Sequence, residues 1–216
     1  MAAPPKNDRV DALIVCEGDT DRHFLEALLI ARGLPKFQVR SAGSKDNLHG
    51  KLATYKLQEP EKFRKLKSVC VCIDKDGDED AAFANAIKQL GKSFPSRQLP
   101  TAPLVTVGSQ PQLSVILIPP TGAVGHIESY LQSVAKTVRG PLPGLIEDFL
   151  AQVQADKWGD DRRYKAAWLR IFMAISCPDP SMTLGELFRD DKVRHLIDMH
   201  HRDFNRLETF LKQLTV

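Results

Sequence analysis

The first part of the chain alternates short, continuous apolar runs with stretches whose apolar residues recur at helical spacing. Two runs, Val10–Cys16 and Ser68–Ile73, have the length of strands and are apolar enough to be covered on both faces, as parallel strands are. A shorter run, Phe37–Ser41, lies between them. Since a helical stretch follows each run, the pattern predicts parallel strands joined by helices.

The pattern changes further along the chain. A hairpin is predicted with arms at Leu104–Gly108 and Leu113–Ile118 and a turn at residues 109–112. From Gly140 onward only helical spacing remains. We therefore predict an α/β domain over residues 1–139, with a mostly parallel sheet flanked by helices, and a helical C-terminal extension over residues 140–216 that packs on it.

Composition limits the classes of protein to consider. Thirty basic and 27 acidic residues among 216 give a net charge of +3, which is too mild to indicate nucleic-acid binding by itself. The four cysteines lie mostly inside apolar runs without the spacing of a zinc or redox site, so we expect reduced core residues. No apolar stretch approaches the length of a membrane span and no signal peptide is recognisable, so we expect a cytoplasmic protein that does not enter a membrane.

Acidic residues directly follow two of the predicted strands. Glu17 and Asp21 come after the first run, and Asp74 and Asp76 come after the run at Ser68–Ile73. The carboxyl ends of parallel strands form the edge at which α/β sheets bind ligands. A carboxylate at that edge costs stability unless a cation or a reaction uses it, and oxygen-rich clusters suit Mg²⁺ or Mn²⁺. The sequence therefore predicts a divalent-metal site.

The acidic run at residues 74–80 also has other interpretations. An exposed turn and helix N-terminus, where acids favour the helix dipole, accounts well for its last three acids. An EF-hand loop does not fit, because Glu79 and Asn85 stand where Gly and Glu are needed. A phosphatase-type Asp-x-Asp motif fits less well than a metal site, because Asp78 stands where Thr or Val is expected.

A further acid, Glu128, lies in the first turn of the helix that follows the second hairpin arm. Gly125 precedes it by three residues and permits a close approach of the chain to the strand ends. The alternative interpretation is an ordinary first-turn acid, with His126 exposed at the surface.

One loop and two clusters of basic residues could contact phosphate. The loop Gly43–Asn47 is a candidate backbone cradle for an anion, although most such loops are ordinary turns. The clusters at residues 62–67 and 162–165 can also be solvated helix faces. The candidate nucleic-acid-binding residues are Lys45, Lys62, Arg64, Lys65, Arg162 and Arg163.

Three motifs follow one another along the chain: Glu17-Gly18-x-x-Asp21, Asp74-x-Asp76 and Gly125-x-x-Glu128. This order resembles the Toprim domain, which topoisomerases, primases, small maturase ribonucleases and OLD-family nucleases share. The resemblance covers residues of about 10–135. With the loop at residues 43–47, it is most similar to the stand-alone Toprim proteins related to the OLD-family nucleases.

The resemblance implies a Rossmann-like Toprim fold and hydrolysis of DNA or RNA with two divalent metal ions, Mg²⁺ or Mn²⁺. The implied metal ligands are Glu17, Asp21, Asp74, Asp76 and Glu128. Glu17 is implied as a ligand or as a general base or acid. Lys165, by similarity to a downstream lysine of those nucleases, is implied as the catalytic cation.

Partners and other functions stay open. The chain contains no Walker A sequence, so any ATPase partner is expected to be separately encoded, and a homodimer is compatible with the sequence. Two other functions are considered besides the nuclease. One is a non-catalytic, metal-dependent nucleic-acid or nucleotide-binding module, and the other is nucleotidyl transfer.

Overall fold

A parallel sheet forms the centre of the molecule. The computed structural model describes residues 10–120, 125–159 and 161–215. Its strands are β1 (Ala12–Cys16), β2 (Phe37–Ser41), β3 (Ser68–Asp74) and β4 (Gln112–Ile118). They pair in the order β2-β1-β3-β4, and every pairing among these described strands is parallel. The predicted α/β class with helices around a parallel sheet is confirmed.

Helices connect the strands and continue beyond them. In the described ranges they are α1 (Asp19–Ala31), α2 (Leu48–Gln58), α3 (Pro60–Lys65), α4 (Glu79–Ser93), α5 (Ile127–Ala135), α6 (Leu142–Gln152), α7 (Asp161–Ser176), α8 (Leu184–Arg189) and α9 (Asn205–Gln213). A single 3₁₀ turn, Lys45–Asn47, precedes α2. Among the described residues, no helix combines the length and apolarity that crossing a membrane requires.

The sheet is covered on both faces, which explains why its strands are almost continuously apolar. Alternate residues of β1 and β3, such as Ile14 and Cys70, pack in one hydrophobic cluster with α1, α5, α7 and the later helices. Their neighbours, such as Val15 and Val71, pack in a second cluster with α2, α3 and α4. All four cysteines are buried free thiols, as the sequence predicted for core residues.

The predicted hairpin is wrong in its first arm. Residues 104–108 form only one isolated antiparallel bridge among the described residues, between Val107 and Leu113. The backbone amide of Leu104 also donates to Val115 O at 2.8 Å, but Leu104 has a positive φ of 60°. This kink and the irregular chain around it prevent a continuous ladder, so the segment contacts β4 at Leu113 and Val115 without forming a strand.

The C-terminal helices pack on the same face as α1 and α5. Trp168 and Phe172 of α7 are buried in the cluster that contains Phe24 of α1 and Leu131 of α5. The segment before α9 is tied to the end of α1 by Arg32, which donates to Met199 O at 2.8 Å. The same guanidinium forms an ion pair of 2.5 Å with Glu208. The domain boundary near residue 139 stays a prediction, since a shared core joins the residues on its two sides.

Candidate metal and phosphate site

Glu17 lies immediately after β1 at the carboxyl edge of the sheet. Its amide donates to Cys72 O of β3 at 3.1 Å, so the backbone continues beside that strand. The carboxylate is half-buried, and its Oε2 makes no hydrogen bond to any described residue. Burial raises the pKa of Glu17, Asp76 raises it further, and Lys45 opposes both effects.

Asp21 faces the same edge from the first turn of α1. Its Oδ2 accepts a hydrogen bond of 2.8 Å from the amide of Gly18, the residue that caps the helix. Only 6% of Asp21 is exposed. Burial raises the pKa of its carboxyl to about 6, the bond from Gly18 lowers it, and Glu17 and Glu128 raise it. Asp19, two residues earlier, is exposed and pairs with Arg22 at 3.2 Å, so it behaves as an ordinary surface acid.

Asp74 is the last residue of β3 and the most strongly perturbed carboxyl of the edge. Its Oδ1 is buried and lacks a hydrogen-bond partner among the described residues. Burial raises the pKa of Asp74 to about 9, with further contributions from four acids: Asp21, Glu128, Glu17 and Asp76. Acids from three separate stretches of chain therefore lie near enough to repel one another. The four other predicted carboxylates thus lie near enough to Asp74 to act on its pKa, although no three acids among the described residues are gathered as a ligand set.

Asp76 is held at the rim of this cluster by backbone and by cations. It has a positive φ of 50° and forms an isolated antiparallel bridge with Gly125, which brings the loop after β3 against the start of α5. Its two carboxylate oxygens contact Lys45 Nζ at 3.1 Å and Arg162 Nη1 at 3.4 Å. Asp78 has a different role, because it caps α4 by accepting from the amide of Ala81 at 2.9 Å.

His126 is a site residue that the sequence analysis missed. The interpretation that places it at the surface is wrong, because only 2% of the residue is exposed. Its Nδ1 lies 2.7 Å from Glu128 Oε2. Burial acts to raise the pKa of Glu128, but the hydrogen bond from His126, a backbone hydrogen bond and the nearby positive charge of Arg162 together outweigh this effect, and the pKa is lowered. The only signal in the sequence is the close spacing of Gly125, His126 and Glu128 at the start of a helix.

The predicted cations divide between the site and other places. Lys45 and Arg162 reach the carboxylate cluster through Asp76. Lys165, the predicted catalytic cation, instead forms an ion pair with Asp161, one turn earlier in α7. Arg163 donates to Trp158 O at 3.4 Å. The predicted role of Lys165 stays a prediction, and Arg162 becomes a second candidate for that role.

The basic cluster at residues 62–67 lies away from the acids. Lys62 pairs with Glu59, and Arg64 pairs with Glu61 at 2.6 Å. Helix α3 ends at Lys65 and leads directly into the amino end of β3, whereas Asp74 lies at the carboxyl end. A strand of seven residues spans about 23 Å, so the two groups lie at opposite edges of the sheet.

The predicted anion cradle at residues 43–47 uses part of its backbone internally. The amide of Gly43 donates to Ser41 Oγ at 3.3 Å, and the amide of Asn47 donates to Ser44 O at 3.1 Å. The side chain of Lys45 in this loop reaches the site through Asp76.

A cavity adjoins the outer side of the carboxylate cluster. Its volume is about 330 Å³, and its lining residues are Asp76, Gly77, Gly125, His126, Ser129, Asp161 and Arg162. A larger and shallower hollow of about 820 Å³ lies in the C-terminal region around Glu186 and Asp190, and none of the five carboxylates lines it.

Comparison with known proteins identifies a family. A family model described as "Protein of unknown function (DUF3226)" matches residues 11–216. The chain belongs to this family. No curated protein matches the DUF3226 chain.

Two solved structures are similar to this DUF3226 chain, both of the C-terminal region of the OLD protein of Xanthomonas campestris pv. campestris. The first has 15% identity and a TM-score of 0.46, and covers 95% of this chain and 96% of that chain. The second has 15% identity and a TM-score of 0.45, and covers 95% of this chain and 94% of that chain. Scores at this level are too low to support an argument about function.

The donor set of this DUF3226 chain fits a hard divalent cation. Two buried carboxylate oxygens, Glu17 Oε2 and Asp74 Oδ1, find no hydrogen-bond donor in the described part of the chain. Oxygen ligands of this kind are those that Mg²⁺ and Mn²⁺ prefer. Within residues 10–120, 125–159 and 161–215, however, no three His, Cys, Asp or Glu side chains are already gathered as a ligand set. The other three carboxylates have partners. Gly18 donates to Asp21, His126 contacts Glu128, and Lys45 and Arg162 both contact Asp76.

Proposed function

We propose that this protein is a metal-dependent hydrolase of phosphodiester bonds in nucleic acid that uses Mg²⁺ or Mn²⁺. The observation that carries the proposal is the pair of buried, unpartnered carboxylate oxygens on Glu17 and Asp74, inside a set of mutually repelling acids. An arrangement of this kind destabilises a fold unless a cation compensates it. The motif order that resembles the Toprim domain supports the same conclusion.

The residues available to hold metal are Glu17, Asp21, Asp74, Asp76 and Glu128. When bound, two divalent ions would activate water and stabilise the leaving oxygen of an in-line displacement. Glu17 remains a candidate ligand or general base, because its carboxylate is half-buried at the strand end with one oxygen unpaired among the described residues.

Lys45 and Arg162 are suited to bind the phosphate backbone of DNA or RNA. Both are largely exposed cationic side chains, and both now neutralise Asp76. If Asp76 is engaged by a metal ion, these two cations are released toward a phosphate next to it. Arg162 can form two parallel hydrogen bonds with phosphate oxygens, which also stabilises the charge that develops in the transition state.

A second candidate function is metal-dependent binding of nucleic acid or nucleotide without cleavage. Two observations favour it. Asp76 is already neutralised by two cations. The described residues also contain no assembled set of three ligands. In that case Lys45 and Arg162 would bind phosphate, and the acids would bind metal without turnover.

Cleavage assays with matched variants test the proposal. Plasmid DNA and structured RNA are incubated with Mg²⁺ or Mn²⁺ and the wild-type protein, Glu17→Gln, Asp74→Asn or Asp19→Asn. We expect cleavage by the wild type, a loss of about 100-fold or more in the first two variants, and no change in Asp19→Asn, whose acid is exposed. Unchanged cleavage by Glu17→Gln and Asp74→Asn contradicts the proposal. Metal-dependent binding without cleavage supports the second function.

A further inference from the structure

The buried imidazole of His126 contacts Glu128 of the carboxylate cluster, and His126 also lines the cavity. It immediately precedes α5, and 2% of the residue is exposed. A buried ring nitrogen costs free energy unless it has a hydrogen-bond partner or another ligand. One nitrogen, Nδ1, lies 2.7 Å from Glu128 Oε2. The other, Nε2, is buried and has no hydrogen-bond partner in the part of the chain that the structure describes.

The contact with Glu128 fixes which nitrogen carries the proton. A carboxylate only accepts hydrogen bonds, so Nδ1 must carry the hydrogen that Glu128 accepts. In the neutral form of the ring with this tautomer, the lone pair is on Nε2, on the other side of the imidazole from Glu128. Histidines that bind metal commonly have this arrangement, in which the second ring nitrogen donates to a carboxylate.

An acidic residue, Asp76, lines the same cavity as this imidazole. Asp76 and His126 both line the space of about 330 Å³, with Ser129 and Arg162. The bridge between Asp76 and Gly125 draws their two chain segments together. Ser129 Oγ is a second buried polar atom that has no partner among the described residues. Two buried, unpartnered polar atoms, His126 Nε2 and Ser129 Oγ, therefore belong to residues that line this cavity together with Asp76.

We propose that His126, through Nε2, and Asp76 bind a divalent cation in this cavity, and that Glu128 positions the imidazole. This inference deepens the proposed function and rests on it for the presence of a divalent cation. Two protein ligands, with water at the remaining positions, agree with the absence of a three-residue ligand set in the described residues. An imidazole ligand favours Mn²⁺ over Mg²⁺, since Mg²⁺ prefers oxygen.

The proposal gives Glu128 a specific role. Its Oε2 contacts His126 and so holds the ring and its tautomer in this site, while its other oxygen, Oε1, is left for the acidic cluster. Glu128→Gln is therefore expected to lower the affinity for Mn²⁺ about tenfold, in the range typical of such orienting partners.

Electron spin echo envelope modulation of bound Mn²⁺ tests the ligand directly, because a coordinated imidazole nitrogen produces ¹⁴N modulation. The full-length wild type, His126→Gln and His49→Gln are each loaded with Mn²⁺. His49 is the matched control, because its Nδ1 lies 2.9 Å from Ser93 Oγ at the end of α4 and it does not line the cavity. We expect ¹⁴N modulation in the wild type and in His49→Gln, and its loss in His126→Gln.

Each other outcome overturns the inference. Mn²⁺ that binds without ¹⁴N modulation in the wild type leaves the proposed function standing and removes His126 as a ligand. Modulation that persists in His126→Gln does the same. No Mn²⁺ binding by the wild type contradicts the proposed function as well. If His126→Gln does not fold, Glu128→Gln replaces it, and unchanged Mn²⁺ affinity and ¹⁴N modulation in that variant overturn the inference.

Discussion

At the scale of single residues, Asp74 has the clearest energetic consequence. Its carboxyl is at the end of a buried strand, where burial and the neighbouring acids raise its pKa to about 9. A carboxyl in the unfolded chain has a pKa of about 3.9. Between these two values the folded protein retains a proton that the unfolded chain releases. The free energy of unfolding therefore falls as pH rises from about 4 to 9.

Removal of this charge is expected to stabilise the metal-free protein. In EDTA at pH 8, Asp74→Asn should raise Tm by about 3 °C or more, because the amide needs no proton to be neutral. The dependence of Tm on pH between 5 and 9 should also become weaker. Differential scanning calorimetry over this range measures both effects, with Asp19→Asn as the control. A lower Tm for Asp74→Asn contradicts the assignment of Asp74 as an uncompensated acid.

Arg162 and Lys165 make a second comparison between single residues. Arg162 contacts the carboxylate cluster at Asp76, whereas Lys165 is paired with Asp161. We expect Arg162→Met to lower nucleic-acid cleavage about tenfold or more and Lys165→Met to lower it less. Arg162→Met should also bind Mn²⁺ more tightly, because a cation that competes for Asp76 is gone. A larger loss of cleavage in Lys165→Met would instead identify Lys165 as the charge-stabilising residue.

At the scale of elements, strand ends and helix starts were predictable and their contacts were not. Continuous apolar runs predicted β1 and β3, because both faces of a parallel sheet are buried. The acids after those runs marked the carboxyl edge. The first hairpin arm failed, since alternation of residue types does not reveal a positive φ at Leu104. His126 was missed because burial of a single polar residue depends on the packing of α5, which local sequence does not encode.

The attachment of the C-terminal helices can be tested at Arg32. This side chain donates to Met199 O and His201 O and pairs with Glu208, and only 10% of it is exposed. Arg32→Met should lower the free energy of unfolding by about 1 to 3 kcal/mol, because it removes the donor to two backbone carbonyls and the less exposed of the two cations that contact Glu208. Urea unfolding measures the loss, and hydrogen exchange should locate it in residues 199–213.

A surface ion pair provides the control for Arg32. Lys212 contacts the same Glu208 at 2.6 Å, but its side chain is 56% exposed. Lys212→Met is expected to change the free energy of unfolding by less than about 1 kcal/mol. Equal losses in Arg32→Met and Lys212→Met would mean that Arg32 does not fasten the C-terminal segment to α1.

At the scale of the whole molecule, charge is distributed in a way that composition hides. The net charge of +3 is nearly neutral, yet the carboxyl edge of the sheet carries five acids and the opposite edge carries the basic residues that lead into β3. Sequence order predicted that the acids converge, because parallel strands end at one edge. It did not predict that Lys45 and Arg162, rather than the cluster at residues 62–67, meet them there. The position of Arg162 depends on how α7 packs beside α5, and that of Lys45 on the turn that follows β2.

The central claim is that the carboxyl edge of the sheet binds a divalent cation, and calorimetric titration of Mn²⁺ into the metal-free protein tests it most directly. We expect the wild type and Asp19→Asn to bind Mn²⁺ with equal affinity, and Asp74→Asn to bind at least about tenfold more weakly, because Asp74 Oδ1 is one of two buried oxygens available to the metal among the described residues. Absence of binding to the wild type, or equal affinity of Asp74→Asn and the wild type, would contradict the claim.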